Sequence, residues 1–226
     1  MTDFPPGFFD RIDTAPDGEF YREPRFVQHI DEATIDALTA WYGEFLFPDA
    51  DVLDLMSSWV SHYPPEISLG RVAGLGMNAS ELAANDRLTE HGVHDLNAHP
   101  ELPYPALSFD RATIAVSIQY LTRPVETMRS VARTLRPGGR LAVAMSHRLF
   151  PTKAIRAFHQ LPPAERVRLV GAYLNGGGFE KVAFVDRSPA NADPLWIVTG
   201  ETTAAQGTAE FRASETPCMV RPAFAR

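Results

Sequence analysis

Asp54 stands inside an apolar run, Val52-Leu53-Asp54-Leu55, and two hydroxyl residues, Ser57 and Ser58, follow it closely. A run of that kind reads as a strand buried on both faces, ending in a tight turn of small residues. Ligands of open α/β sheets collect at the carboxyl ends of strands, and an acid there offers an acceptor to the ribose hydroxyls of a nucleoside. Other side chains suited to chemistry lie further along. His147 follows a later apolar run, and an imidazole that titrates near neutrality is the best general-base candidate. Tyr120 could face a cation with its ring. Arg148 and Lys153 would draw an acidic substrate. Near the N-terminus, Tyr21, Arg25 and His29 add a phenol, a guanidinium and a second imidazole. The group Glu90, His91, His94, Asp95 and His99 contains metal-ligating types. Strand alternation would send its neighbours to opposite faces, and His99 falls among prolines, so no metal is expected.

The elements that position these groups can be read in order. Residues 1–30 are rich in Pro, Phe, Tyr and Arg and form an arm expected to fold back over the rest. Asp31 caps a helix of about 15 residues whose face is Ile35, Leu38, Trp41, Tyr42, Phe45 and Leu46, closed by Pro48. Strand one is Val52–Leu55; a short helix is expected from Ser58 or Trp59, cut off by Pro64-Pro65. Strand two is Arg71–Leu75, followed by the turn Gly76-Met77-Asn78, with Asn78 capping a helix over 79–85. A short strand at 92–94 stops at Asp95, and a proline-rich loop leads to strand four, Arg111–Ser117. Thr122 and Pro124 start a helix carrying Val125, Met128, Val131, Ala132 and Leu135 on one face. The turn Arg136-Pro137-Gly138-Gly139 precedes strand five, Leu141–Met145. Helices over 153–160 and 164–174 follow. Gly176-Gly177-Gly178 comes after a helix and before a strand, which makes it a C-cap rather than a phosphate cradle. Lys181–Asp186 and Leu195–Thr199 are too close together for a helical crossover and are expected to pair antiparallel.

Composition narrows the function. The 226 residues are 45% hydrophobic, enough for a substantial core, and a net charge of −7 argues against nucleic-acid or anionic-membrane partners. No run approaches the ~18 apolar residues of a membrane span, and the first residues do not read as a signal peptide, so a cytoplasmic location is expected. The single Cys218 excludes a cysteine-based zinc site. No G-x-G-x-x-G follows the first strand, and neither a P-loop nor a G-x-S-x-G elbow occurs, which disfavours NAD enzymes, NTPases and hydrolases.

Several pieces in order resemble the class I S-adenosylmethionine-dependent methyltransferases, specifically the small type 11 group. They are Val52–Val60, Leu102-Pro103-Tyr104-Pro105 with Ser108-Phe109-Asp110, and Leu135-Arg136-Pro137-Gly138-Gly139-Arg140-Leu141. The resemblance covers roughly residues 45–200. It implies an α/β fold: a seven-stranded, mostly parallel Rossmann-like sheet with helices on both faces and a final antiparallel strand pair. It divides the chain into an arm and helix over 1–47 that cover the site, a methyltransferase domain over 48–200, and a disordered tail over 201–226. S-adenosylmethionine would be the cofactor and a small molecule the methyl acceptor. By the family pattern, Met56, Ser57 and Ser58 would approach the methionyl part, whose carboxylate a helix N-terminus would suit. Asp95 would take the adenine amino group with Leu96 beside the ring, while Ser117 and Ile118 would lie near the sulfur. Tyr21, Arg25 and His29 would line the acceptor site together with Tyr120 and the region after strand five.

Two departures from the pattern stand out. Met56, Ser58 and Val60 occupy positions where glycines are usual, and Gly76 stands where an acid usually holds both ribose hydroxyls. Asp54, or Asn78 two residues beyond Gly76 (with Met77 between), would have to take over that contact; a neutral amide is a weaker partner than a carboxylate. A degenerate, non-catalytic binding module of the same fold is the competing reading.

Overall fold

The computed structural model describes residues 4–203, so Cys218 and the expected tail from residue 204 on lie outside the described residues, while Glu201 and Thr202, counted with that tail from the sequence, belong to the last strand and the buried interior. Seven strands form one sheet in the order β3-β2-β1-β4-β5-β7-β6. They are β1 (Val52–Ser57), β2 (Val72–Gly76), β3 (Glu90–Val93), β4 (Phe109–Ala115), β5 (Leu135–Met145), β6 (Glu180–Asp186) and β7 (Trp196–Glu201). The first five run parallel, and β7 pairs antiparallel with both β5 and β6. That is the sheet the motif order implied. The reversal in chain order between β1 and β4 creates a crevice at the carboxyl ends of the parallel strands, the usual ligand position in such folds.

Strand alternation builds two cores. Leu53, Leu55, Leu141, Val143 and Val198 face one side and meet α4 (Pro124–Thr134), α5 (Arg156–Gln160) and α6 (Pro163–Gly177) through Met128, Val131, Phe158 and Tyr173. On the other side Val52, Ala142, Ala144 and Ile197 meet α2 (Glu32–Phe45) through Leu38, Trp41, Tyr42 and Phe45. Asp31 caps α2 by accepting from the Thr34 N–H, and Gly178 ends α6 in the left-handed conformation with φ +96°. Two small elements complete the set: α1 (Asp17–Phe20) in the N-terminal arm and α3 (Ala79–Ala83) after β2.

The structure departs from the sequence reading at three places. No helix follows β1: residues 58–71 run as irregular chain. Asp54 explains this, because its Oδ2 accepts from both Ser57 and Ser61 hydroxyls and holds the loop in a non-helical path. Pro64-Pro65 then forbid recovery. Thr122 does not cap α4; its N–H and hydroxyl both donate to Asn97 Oδ1, and Arg123 takes the cap position without a side-chain bond. Finally, β5 begins at Leu135, so the Arg136–Gly139 turn becomes an outward kink within the strand, where pairing jumps from Phe109↔Leu135 to Arg111↔Arg140 and Gly138 takes φ +75°.

Candidate functional site

The crevice is walled by the ends of β1, β2 and β4, by the loop after β3, and by the N-terminal arm. It encloses about 1180 Å³ counted out to its open mouth. From the sheet come Asp54, Leu55, Met56, Ser57, Gly76, Ala115, Val116 and Ser117; from the loop after β3 come His94, Asp95, Leu96 and Asn97. The arm contributes Asp17, Tyr21, Arg25, Val27, Gln28 and His29. A side chamber of about 450 Å³ adjoins it, sharing Gln28, His29, Val116, Tyr120 and Phe150 and adding Arg148 and Leu149.

Asp54 is buried and fully engaged. Besides the Ser57 and Ser61 hydroxyls at 2.6 and 2.7 Å, its Oδ1 accepts from Thr113 at 3.1 Å. Burial pushes its carboxyl above the usual carboxylate range, against the downward pull of these hydroxyl bonds. Three residues of the cavity wall adopt left-handed backbone without being glycine: Met56 (φ 54°), His62 (φ 55°) and the β-branched Val116 (φ 45°). Each such residue costs of order 1–3 kcal/mol, and strain of this kind gathers at functional sites.

Met56 marks a bulge in the β1–β2 ladder, where Leu55 pairs with Leu75 but Ser57 pairs with Gly76. The bulge drops the Ser57 carbonyl onto Gly76: a Cβ there would stand 2.1 Å from that oxygen. No acid fits at the end of β2 in this chain. A different carboxylate enters the cavity instead. Glu81, buried on α3, accepts the Ser58 hydroxyl through Oε2 at 2.6 Å and the Arg25 N–H through Oε1 at 2.7 Å. Sequence reasoning missed Glu81, because Asn78-x-x-Glu81 reads as a helix-capping pair whose acid turns back on its own helix. Asn78 does cap α3, but the carboxylate points across to β1 and the arm.

Three imidazoles line the cavity, and of these His94 is tied through Nε2 to the His99 carbonyl at 2.7 Å. Burial lowers His29 from its ordinary value, and Arg25 lowers it further, while Glu81 raises it. His62 is pushed down to about 4 by burial and by the nearby His29. Both are uncharged at neutral pH and able to accept a proton. His62 was not foreseen. His29 meets the Phe150 ring edge-on at 5.4 Å, and Phe150 in turn stacks on Tyr120 at 5.7 Å. The Tyr120 hydroxyl accepts from the Phe150 N–H at 2.8 Å.

Most of the residues singled out from sequence line the cavity or its side chamber: Asp54, Met56, Ser57, Ser58, Gly76, Met77, Asp95, Leu96, Ser117, Tyr120, Tyr21, Arg25, His29 and Arg148. The Asp95 carboxylate also accepts from the Asn97 and Ala98 N–H groups, which shapes the loop after β3. Four residues sit elsewhere. Ile118 is fully buried in the core and not in the cavity wall. Asn78 is consumed by its cap and by donating to the Tyr21 and Arg22 carbonyls at 2.9 and 3.0 Å, so it clamps the arm and has no free amide for a ribose. Lys153 is 0% exposed and is held by Asp13, Asp17 and the Ala15 carbonyl, so it presents no charge to an acidic substrate. His147 lies outside the cavity wall, half exposed, with Nε2 3.3 Å from Asp193. Arg148 borders the side chamber while its Nε donates to Asp193 at 2.6 Å. Among the described residues no group of three His, Cys, Asp or Glu side chains could hold a metal ion, and no helix is long and apolar enough to cross a membrane.

Residues 57–143 match the family model described as a methyltransferase domain. The ubiquinone/menaquinone biosynthesis C-methyltransferase UbiE of Hahella chejuensis is 39% identical over 80 residues, which is 33% of this chain and 32% of that protein. The match thus spans about a third of the curated relative's length. Among solved structures, an S-adenosylmethionine dependent methyltransferase from Mesorhizobium loti shares the fold with a TM-score of 0.54 at 17% identity, over 74% of this chain and 99% of that one. The [4+2]-cyclase SpnF does so with a TM-score of 0.57 at 18% identity, over 74% of this chain and 81% of that one. Residues 57–143 are thus similar to a methyltransferase domain, and the sheet is the Rossmann-like methyltransferase fold that the motifs implied.

Proposed function

We propose that the protein transfers a methyl group from S-adenosylmethionine to a small-molecule acceptor. The observation that carries this reading is the crevice at the ends of β1, β2 and β4, where Asp95 and Leu96 line the same cavity as a buried carboxylate at Glu81. Unpartnered buried donors on its wall, Arg25 Nη1 and Ser117 Oγ, fit a ligand with polar ends. When bound, the cofactor supplies a methyl group already activated on a sulfonium, so the protein's task is to hold acceptor and methyl in line.

In this reading Asp95 accepts from the adenine amino group and Leu96 covers the ring. Glu81 serves the ribose beside its bonds to Ser58 and Arg25, with Gly76 and Met77 as its floor, while Met56, Ser57 and Ser58 face the methionyl end. Asp54, engaged by three hydroxyls, shapes the first turn instead of holding the ribose. Ser117 and Tyr120 stand nearest the reacting sulfur. Tyr21, His29 and Arg148 border the acceptor, with residues 1–47 as cover for a methyltransferase domain over 48–200. His29 and His62 replace His147 as the imidazoles able to take a proton. The relative from Hahella carries quinone biosynthesis in its name, and over so short a match only the small-molecule class of acceptor is carried over.

The glycine-free first turn and the missing helix after β1 favour a second reading, a methyltransferase fold used for binding alone. The fold neighbour SpnF, a [4+2]-cyclase, is an instance of the same fold hosting other chemistry. Calorimetry with S-adenosylmethionine and S-adenosylhomocysteine separates the two. Heat of binding for both is expected; silence at millimolar ligand would sink the methyltransferase reading.

A further inference from the structure

We infer that Arg25 is the carboxylate anchor of this cavity, taking the place of the helix N-terminus that the chain lacks after β1. The guanidinium is fixed on three sides. It lies 4.4 Å over the Phe20 ring, with Phe150 at 5.6 Å and Tyr21 at 5.8 Å, and its Nη2 donates to the Phe20 carbonyl at 2.8 Å. Its backbone is fixed as well, by the N–H donated to Glu81. Yet Nη1 is buried without a hydrogen-bond partner, on a side chain that lines the cavity. Among the described residues Arg25 is in no ion pair. The nearby acids are committed: Asp17 to Arg11, Lys153 and Asn97, and Glu81 to the Ser58 hydroxyl and the Arg25 backbone.

A buried guanidinium nitrogen left unpaired is costly, and a planar fork held rigid by rings is preorganised for a carboxylate. The need is local. Where β1 would ordinarily run into a helix whose N–H groups receive an anion, this chain runs irregularly through residues 58–71. An arginine carried in on the arm supplies the missing positive end. The carboxylate can belong to the amino-acid end of the cofactor or to the acceptor, and only this choice of source rests on the methyl-transfer reading.

Arg25→Met and Arg25→Lys are compared with the wild type by calorimetry, after melting curves establish that each variant is folded. The ligands are S-adenosylhomocysteine and 5′-methylthioadenosine, which share the adenosine thioether but differ in the amino-acid carboxylate; benzoate is then titrated into protein loaded with S-adenosylhomocysteine. Arg25→Met is expected to lose at least tenfold for S-adenosylhomocysteine and less than twofold for 5′-methylthioadenosine, with Arg25→Lys in between. Unchanged S-adenosylhomocysteine binding with a tenfold loss of benzoate would assign the carboxylate to the acceptor and keep the anchor. Equal losses for both adenosine ligands would mean the arm has merely shifted, and overturn the inference. So would no loss for either S-adenosylhomocysteine or benzoate. If the wild type binds neither adenosine ligand, the methyl-transfer reading fails, and Arg25 stands or falls on benzoate titrated into the free protein.

Discussion

Placing a side chain at Gly76 is the most direct test of how this site is built. An ideal Cβ there lies 2.1 Å from the Ser57 carbonyl oxygen and 3.1 Å from Leu82 Cδ2. Non-bonded heavy atoms rest near ~3.5 Å, so more than 1 Å of overlap must be relieved, and the struck atom is backbone. The end of β1 would have to lift from β2 at the point where the ladder already slips at Met56. Overpacking typically costs about 1–3 kcal/mol; with no side chain able to swing away, Gly76→Ala belongs at the upper end, about 3 kcal/mol. For a domain of this size that lowers the melting temperature by about 6–12 °C, read by calorimetry or urea unfolding. Gly76→Asp, which restores the usual strand-end acid, should be no better. Met56→Gly frees the φ of 54° and lets the bulge relax, so the double variant should recover part of the loss, with a coupling of about 1 kcal/mol. A Gly76→Ala protein melting within about 2 °C of the wild type would refute the claim that the Ser57 carbonyl is what excludes an acid.

Three further outcomes are expected. His62 falls from 6.5 unfolded to about 4 folded, so its stabilising contribution is complete above pH 6.5 and is lost as pH falls toward 4, a span worth about 3 kcal/mol. Urea midpoints at pH 7 and 4.5 should therefore differ less in His62→Gln than in the wild type, and equal slopes would remove His62 from the account. Lys153→Met takes from Asp13 and Asp17 their shared buried cation and should cost about 1–3 kcal/mol, since Asp17 keeps Arg11; limited proteolysis should then cut within the arm, and an arm still protected would contradict its anchoring role. Asp95→Ala should weaken S-adenosylhomocysteine by about 1–3 kcal/mol, measured against Asp95→Asn to separate loss of the ligand contact from loss of the loop bonds to Asn97 and Ala98.

The sheet was legible because its signals are local. Runs such as Val72–Leu75 and Leu141–Met145 are apolar over strand length, and the short link between β6 and β7 permits only antiparallel pairing. The cavity wall was legible at the strand ends for the same reason: Gly76 ends β2, and Asp95 and Ser117 lie two residues beyond β3 and β4. What sequence could not reveal depends on side chains reaching across the fold. The helix after β1 is lost to hydroxyl bonds converging on Asp54 from Ser57 and Ser61, a competition between side chain and backbone that periodicity does not register. His147 is drawn to Asp193, 46 positions later, whose carboxylate also holds Arg148 and the Asp31 N–H. The two departures noticed at the outset, a first turn without glycine and a strand two without an acid, have a single physical cause. A bulge at Met56 makes Ser57 cover Gly76, which closes the strand-end position to any side chain. A carboxylate enters the cavity instead from the first turn of α3, where Glu81 stands.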